Sequence, residues 1–162
     1  MLLIDDHPVV RRGIRDALEG HASLHVVGEA ADAAEAVRQI RSGQPDLAIV
    51  DISLAGESGL ELLKTIRAEH PGVKLLVFSV HDEKIYAERV LRAGADGYVG
   101  KSEPAERLIE AARSVLSGHT ALSSAMTERM VQQAVGRPTG EGGVSIRSPT
   151  ESSRSSASSD RA

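Results

Sequence analysis

From residue 2 to residue 116, short apolar runs alternate with stretches of helical periodicity, and this alternation narrows the fold more than any other feature of the chain. Leu47-Ala48-Ile49-Val50 is apolar without a break, as expected of a strand covered on both faces. Val73 to Val77, apolar apart from Lys74, is another buried strand, and Leu2-Leu3-Ile4, Leu24 to Val27 and Tyr98-Val99 complete five predicted strands. Between them, apolar residues recur at helical spacing over Val9–Leu18, Ala33–Ile40, Leu60–Ile66 and Ile85–Leu91, and a fifth helix runs from Pro104 to about Leu116. Asp6-His7-Pro8 reads as cap and first turn of the first helix. Gly20, Gly43, Gly94 and Gly118 follow four of the helices, and Pro71 follows the third. Strand and helix in strict alternation predict a doubly wound α/β fold, a five-stranded parallel sheet with helices on both faces.

The chemistry collects at the strand ends. Asp5 and Asp6 follow the first strand, Asp51 the third, Ser79 the fourth and Lys101 the fifth. In an open parallel sheet the carboxyl ends of the strands share one crevice. Any one of these residues alone reads as a turn, a cap or a solvated side chain. Together they place three carboxylates, a hydroxyl and an ammonium around one point. Hard cations such as Mg²⁺ take carboxylate oxygens, with water and phosphate filling the remaining positions. An aspartate beside such a cation can act as a nucleophile toward phosphorus. Lys101 and Ser79 suit the phosphoryl oxygens. Gly56 and Gly59 read as loop glycines, and the histidines, including His7 and His81, as solvated or capping residues.

Composition excludes several alternatives. With two Tyr, one Phe and no Trp, the core must be aliphatic. The absence of Cys removes disulfides and thiolate metal sites and suits a cytoplasmic protein. A net charge of -4 argues against a generally basic nucleic-acid surface. No apolar stretch reaches the roughly 20 residues that span a bilayer, and the acidic residues right after MLLI are unlike a signal peptide. The first strand is so short that strand residues are missing before it or the start codon falls late.

The segments LLIDDHPVVRRG, LAIVDISLAGESGLELL, LLVFSVHDE and RAGADGYVGK resemble the receiver domain of two-component response regulators. The start DDHPVVRRG and the stretch GADGYVGKSEPAERLIEAARSVLSGHTALS are most similar to the NarL/FixJ subfamily, over roughly residues 1–130. This resemblance implies a flavodoxin-like fold and a Mg²⁺-dependent transfer of phosphate from a histidine kinase to Asp51. It implies that Asp6, Asp51 and the Ser53 carbonyl hold the metal, with Asp5 behind them. Ser79 and Lys101 would touch the phosphoryl group, and Ser79 and Tyr98 would form the switch. It implies a phosphoacceptor signalling domain rather than an enzyme, and relatives pair as homodimers through their helices. A haloacid-dehalogenase-like phosphatase also uses an aspartate with Mg²⁺. It needs a second aspartate two residues on, where this chain has Ser53.

The expected organisation is a receiver over 1–118, a linker helix over 119–136 (Leu122 to Val135) and a disordered tail over 137–162. Eight of the last 18 residues are Ser, too little apolar surface to offset ordering entropy. Relatives carry a LuxR-type helix-turn-helix here, and no such pattern is readable, so DNA binding is not expected of this chain. Permitted codons for Arg147 to Ala162, read from the last base of the Arg147 codon, spell LSDRELEVFRLIGQG, which resembles the opening of that domain. A frameshift near residues 136–147 would account for both facts. The alternative is a stand-alone receiver that acts by protein contact or as a phosphate sink.

Overall fold

A computed structural model describes residues 1–54 and 56–136. The expectation of disorder over 137–162 lies outside the described residues. Five strands alternate with helices: β1 (Leu2–Ile4), α1 (Pro8–Leu18), β2 (Gly28–Ala30), α2 (Ala33–Gly43), β3 (Leu47–Val50), α3 (Gly59–Glu69), β4 (Lys74–Ser79), α4 (Glu83–Arg92), β5 (Gly97–Gly100) and α5 (Ala105–Leu116), followed by α6 (Ser124–Gly136). The sheet is wholly parallel in the order β2-β1-β3-β4-β5. The chain leaves β1 toward one edge and returns through β3 to build toward the other. The two directions diverge between β1 and β3, the place where doubly wound sheets open a crevice.

Met1–Met126 form one compact unit. As the uninterrupted apolar runs require, Leu47, Ala48, Ile49 and Val50 are all buried, and so are Leu75, Leu76 and Val77. One face of the sheet packs against α1 and α5 through residues such as Ile14, Leu18, Leu108 and Val115. The core is aliphatic apart from Tyr98, the largest fully buried side chain.

Four expectations need correction. The second strand is Gly28–Ala30, not Leu24–Val27. Leu24 does enter the core, but Val27 is largely exposed, and pairing with β1 begins with Val27 N donating to Met1 O at 2.8 Å. The Gly-Glu-Ala segment has weak β-propensity, and a partner strand rather than its own composition extends it. The cap of the first helix is His7, whose side chain makes no capping bond, and Pro8 opens the helix. Gly59 is the first residue of α3, not a loop glycine. A Cβ there would lie 2.3 Å from the Ile52 Cα, so only glycine lets the helix start so close to the chain leaving β3. The last helix starts at Ser124, two residues later than expected.

Candidate functional site: an acidic crevice at the carboxyl edge of the sheet

Strand register brings the predicted residues together. Ile4 pairs with Val50, so Asp5 and Asp51 leave adjacent strands side by side. Ser79 pairs with Gly100, which puts Lys101 one residue beyond Ser79. The ladder continues past the strands and fixes each residue: Asp5 N donates to Ala30 O at 3.0 Å, Asp51 N to Ile4 O at 2.9 Å, and Lys101 N to Ser79 O at 2.7 Å.

Asp5 and Asp51 are buried, each with a side chain only 3% exposed. Burying two carboxylates is costly unless a cation accompanies them. Lys101 supplies one: its Nζ lies 2.7 Å from Asp5 Oδ2 and 3.2 Å from Asp51 Oδ2. Burial pulls the Lys101 ammonium down. Its hydrogen bond to Asp5 and the charges of Asp51 and Asp5 outweigh that and hold it above the ordinary lysine range. Ser53 N donates to Asp51 Oδ1 at 2.9 Å, which orients the carboxylate.

Asp6 differs from its neighbour. Its Oδ1 is buried and accepts no hydrogen bond, although the His7 Nδ1 lies 3.1 Å away. Buried oxygens of this kind are rare unless a site uses them. Asp5, Asp6, His7 and Asp51 each present a ligand atom within 4.8 Å of the others. An oxygen-rich set with an orphaned carboxylate oxygen fits a hard divalent cation.

Ser79 and Tyr98 frame the far side. Ser79 is fully buried, and its Oγ accepts from His81 N at 3.1 Å. Tyr98 points inward, and its hydroxyl donates to His81 O at 2.6 Å. Burial pushes the Tyr98 phenol up. Both residues predicted to couple thus bind the same residue, His81.

The histidines were placed too far from the chemistry by sequence reasoning. His7 N donates to Asp5 Oδ1 at 2.8 Å, and its ring lies 3.1 Å from both Asp5 and Asp6. Its position directly after the Asp pair was the available signal. His81 Nε2 lies 2.5 Å from Ser53 Oγ across the mouth of the crevice, and its ring packs on Tyr86 with centroids 4.6 Å apart. That contact joins residues 28 apart, and no local pattern announces it.

With this geometry in view, the comparisons are decisive. A family model described as the response regulator receiver domain matches residues 1–113. The chain belongs to this family. It is 38% identical over 150 residues to the oxygen regulatory protein NreC of Staphylococcus carnosus, covering 92% of this chain and 69% of NreC. It is 37% identical over 130 residues to the response regulator UvrY of Escherichia coli, covering 80% of this chain and 60% of UvrY. The chain therefore spans about two thirds of the length of these curated relatives. Among solved structures, a LuxR-family two-component response regulator from Aurantimonas is similar with a TM-score of 0.76 and 36% identity, covering 83% of this chain and 96% of that one. The isolated receiver domain of RcsB from Salmonella enterica, solved with the phosphomimetic BeF3-, gives a TM-score of 0.72 at 25% identity, covering 78% of this chain and 94% of that one.

The chain thus carries the receiver domain of a two-component response regulator of the NarL/LuxR type. Receiver domains bind Mg²⁺ in an acidic pocket, and the Asp5, Asp6 and Asp51 cluster is consistent with that. Among the described residues no helix is long and apolar enough to cross a membrane.

Proposed function

We propose that Asp51 accepts a phosphoryl group from the phosphohistidine of a sensor kinase and that the receiver switches conformation in response. The observation that carries this reading is the position of Asp51. It is a buried carboxylate between an ammonium at 3.2 Å and an acidic cluster with an unsatisfied oxygen. An Asp51 carboxylate oxygen attacks phosphorus, the phosphorus–nitrogen bond of the donor breaks, and the imidazole leaves with the electron pair. Asp6, Asp51 and the Ser53 carbonyl, with Asp5 behind them, would hold Mg²⁺, which would supply charge neutralisation between two anions. Lys101 turns from the carboxylates toward a phosphoryl oxygen. Ser79 gives up His81 N and donates its hydroxyl to another oxygen. Tyr98, tied to His81 O, repacks with that segment. Ser79 and Tyr98 thereby turn occupancy of the pocket into a shift in conformational population.

The relatives support a cytoplasmic protein that meets a histidine kinase and pairs with a second copy. Solved structures related to this chain include RcsB dimers bound to DNA. We assign the receiver to residues 1–118 and the linker to 119–136. We further propose that a frameshift near residues 136–147 has replaced a DNA-binding output domain with out-of-frame residues. Sequencing the locus tests this, and an adjacent frame without a helix-turn-helix would reject it.

The phosphoacceptor itself is tested with acetyl phosphate and Mg²⁺. Intact mass should rise by one phosphate in the native chain and stay unchanged in Asp51→Asn. Labelling that persists in the variant would overturn the assignment.

A further inference from the structure

We propose that Glu83 latches the segment after α5 to the start of α4, and that phosphorylation opens this latch. The proposal deepens the reading of Asp51 as phosphoacceptor and rests on it. After α5 the chain returns along the outer edge of β5. Ala121 N donates to Asp96 O at 3.0 Å, and Tyr98 N donates to Ala121 O at 2.9 Å. This makes a parallel bridge between Gly97 and Ala121. A Cβ on Gly97 would lie 2.8 Å from Ala121 O, so the approach depends on glycine. Ala121 is buried there. The returning segment is therefore fixed to the sheet, on the strand that carries Tyr98.

Two residues later it meets α4. Ser123 N donates to Glu83 Oε1 at 2.9 Å, and Ser123 Oγ donates to Glu83 Oε2. The same Oγ accepts from Met126 N at 3.1 Å and so satisfies a donor in the first turn of α6. One carboxylate thus holds the residue that starts the next helix. Both bonds are charge-assisted, the strong kind that depends most on geometry.

The two ends of this latch differ in mobility. Ser123 is tied through Ala121 to the sheet. Glu83 is the first residue of α4, which buries only Ala87 and Val90, whereas α5 buries five residues. The segment leading into α4 is Ser79-Val80-His81-Asp82, and its anchors include Ser79 Oγ on His81 N, Tyr98 Oη on His81 O and the His81 ring on Ser53 Oγ. When Ser79 turns to a phosphoryl oxygen, the first of these anchors is lost. His81 to Glu83 then shift while Ala121 stays on β5. A displacement of about 1 Å is enough to break hydrogen bonds of this length. The start of α6 loses its tether, and the pocket is linked to whatever follows the receiver.

Amide hydrogen exchange on the full chain, with and without Mg²⁺ and BeF3-, tests this. Slowed exchange at Lys101 reports that the pocket takes the phosphomimetic. Exchange at Ser123 and Met126 should then quicken by about tenfold or more, the equivalent of one lost charge-assisted hydrogen bond. Glu83→Ala should quicken both amides without BeF3- and erase the BeF3- increment there, while Lys101 still responds. Ser123→Ala removes the Oγ bonds but keeps Ser123 N on Glu83 Oε1, and should quicken Met126 more than Ser123 in the resting state. If Lys101 responds and Ser123 and Met126 do not, the latch is wrong and the phosphoacceptor reading stands. If Lys101 itself does not respond, the phosphoacceptor reading fails and takes the latch with it.

Discussion

At each end of the sheet a basic side chain meets an aspartate, and the two meetings are built differently. At the amino edge, Arg67 uses all five of its N–H groups. Nε and Nη2 reach Gly94 O at 3.0 and 2.8 Å, Nη1 reaches Pro71 O and Val73 O at 2.7 and 3.0 Å, and Nη2 reaches Asp96 Oδ2 at 2.7 Å. Asp96 Oδ2 also accepts from Leu75 N at 2.9 Å. At the carboxyl edge, Lys101 is shared between Asp5 and Asp51, and Asp6 keeps an oxygen without a donor. The Arg67 guanidinium is saturated and holds loops in place. The carboxyl edge has three carboxylates around one ammonium, which leaves it ready for a further cation. Satisfaction of polar groups, more than their number, separates a structural ion pair from a functional one.

The largest expected effect comes from the under-satisfied end. Lys101→Ala leaves Asp5 and Asp51 buried without their cation. Stability in chelator should fall by about 3 kcal/mol, the scale of a broken buried pair. Mg²⁺ should narrow that deficit, because a divalent cation neutralises the same carboxylates. Urea denaturation of both proteins with EDTA and with Mg²⁺ checks this. A deficit indifferent to Mg²⁺ would show that the carboxylates are not the group Lys101 balances.

Arg67→Ala is the matched test at the other end. It removes donors from three carbonyls and a carboxylate, all partly solvated, and should cost about 2 kcal/mol in total. Here Mg²⁺ should make no difference, since nothing at the amino edge awaits a cation. The Asp51 phosphorylation yield should also be unchanged. A loss of labelling in Arg67→Ala would break the division between the two edges.

The carboxyl edge was more legible in the sequence than the amino edge, for a physical reason. Its residues follow buried strands whose apolar runs are unmistakable, so Asp5, Asp51, Ser79 and Lys101 mark the strand ends directly. Arg67 and Asp96 lie on a helix and a loop, and their meeting depends on how the two pack. β2 was misplaced because Gly28-Glu29-Ala30 carries no strand signature and Leu24–Val27 does. His81 with Ser53 and Glu83 with Ser123 were invisible, because each pair joins separate connections whose approach only the folded sheet defines. Asp6 shows the opposite case. Its place in the acidic cluster was legible, but its missing hydrogen-bond donor is a property of the fold alone.

The smallest effect is in the pH dependence, and it sharpens the contrast through Lys101 alone. Its pKa is raised above the ordinary value of 10.5 by Asp5 and Asp51, which outweigh burial. A base with a raised folded pKa is bound to its proton more tightly in the native state. Its contribution is complete below the unfolded value and is lost as pH climbs through the folded one. The stability difference between the native chain and Lys101→Ala should therefore be constant from about pH 7 to about pH 9 and shrink only above the ordinary lysine value. Taking the difference cancels groups that both proteins share, including Tyr98, whose raised pKa also costs stability on the alkaline side. Arg67→Ala should show no such alkaline convergence, since a guanidinium stays charged throughout. Urea midpoints at several pH values for the three proteins measure it. A Lys101 difference that stays flat through the alkaline range would mean that the ammonium is held no more tightly than in water, and Asp5 and Asp51 would then not be the groups that bind it.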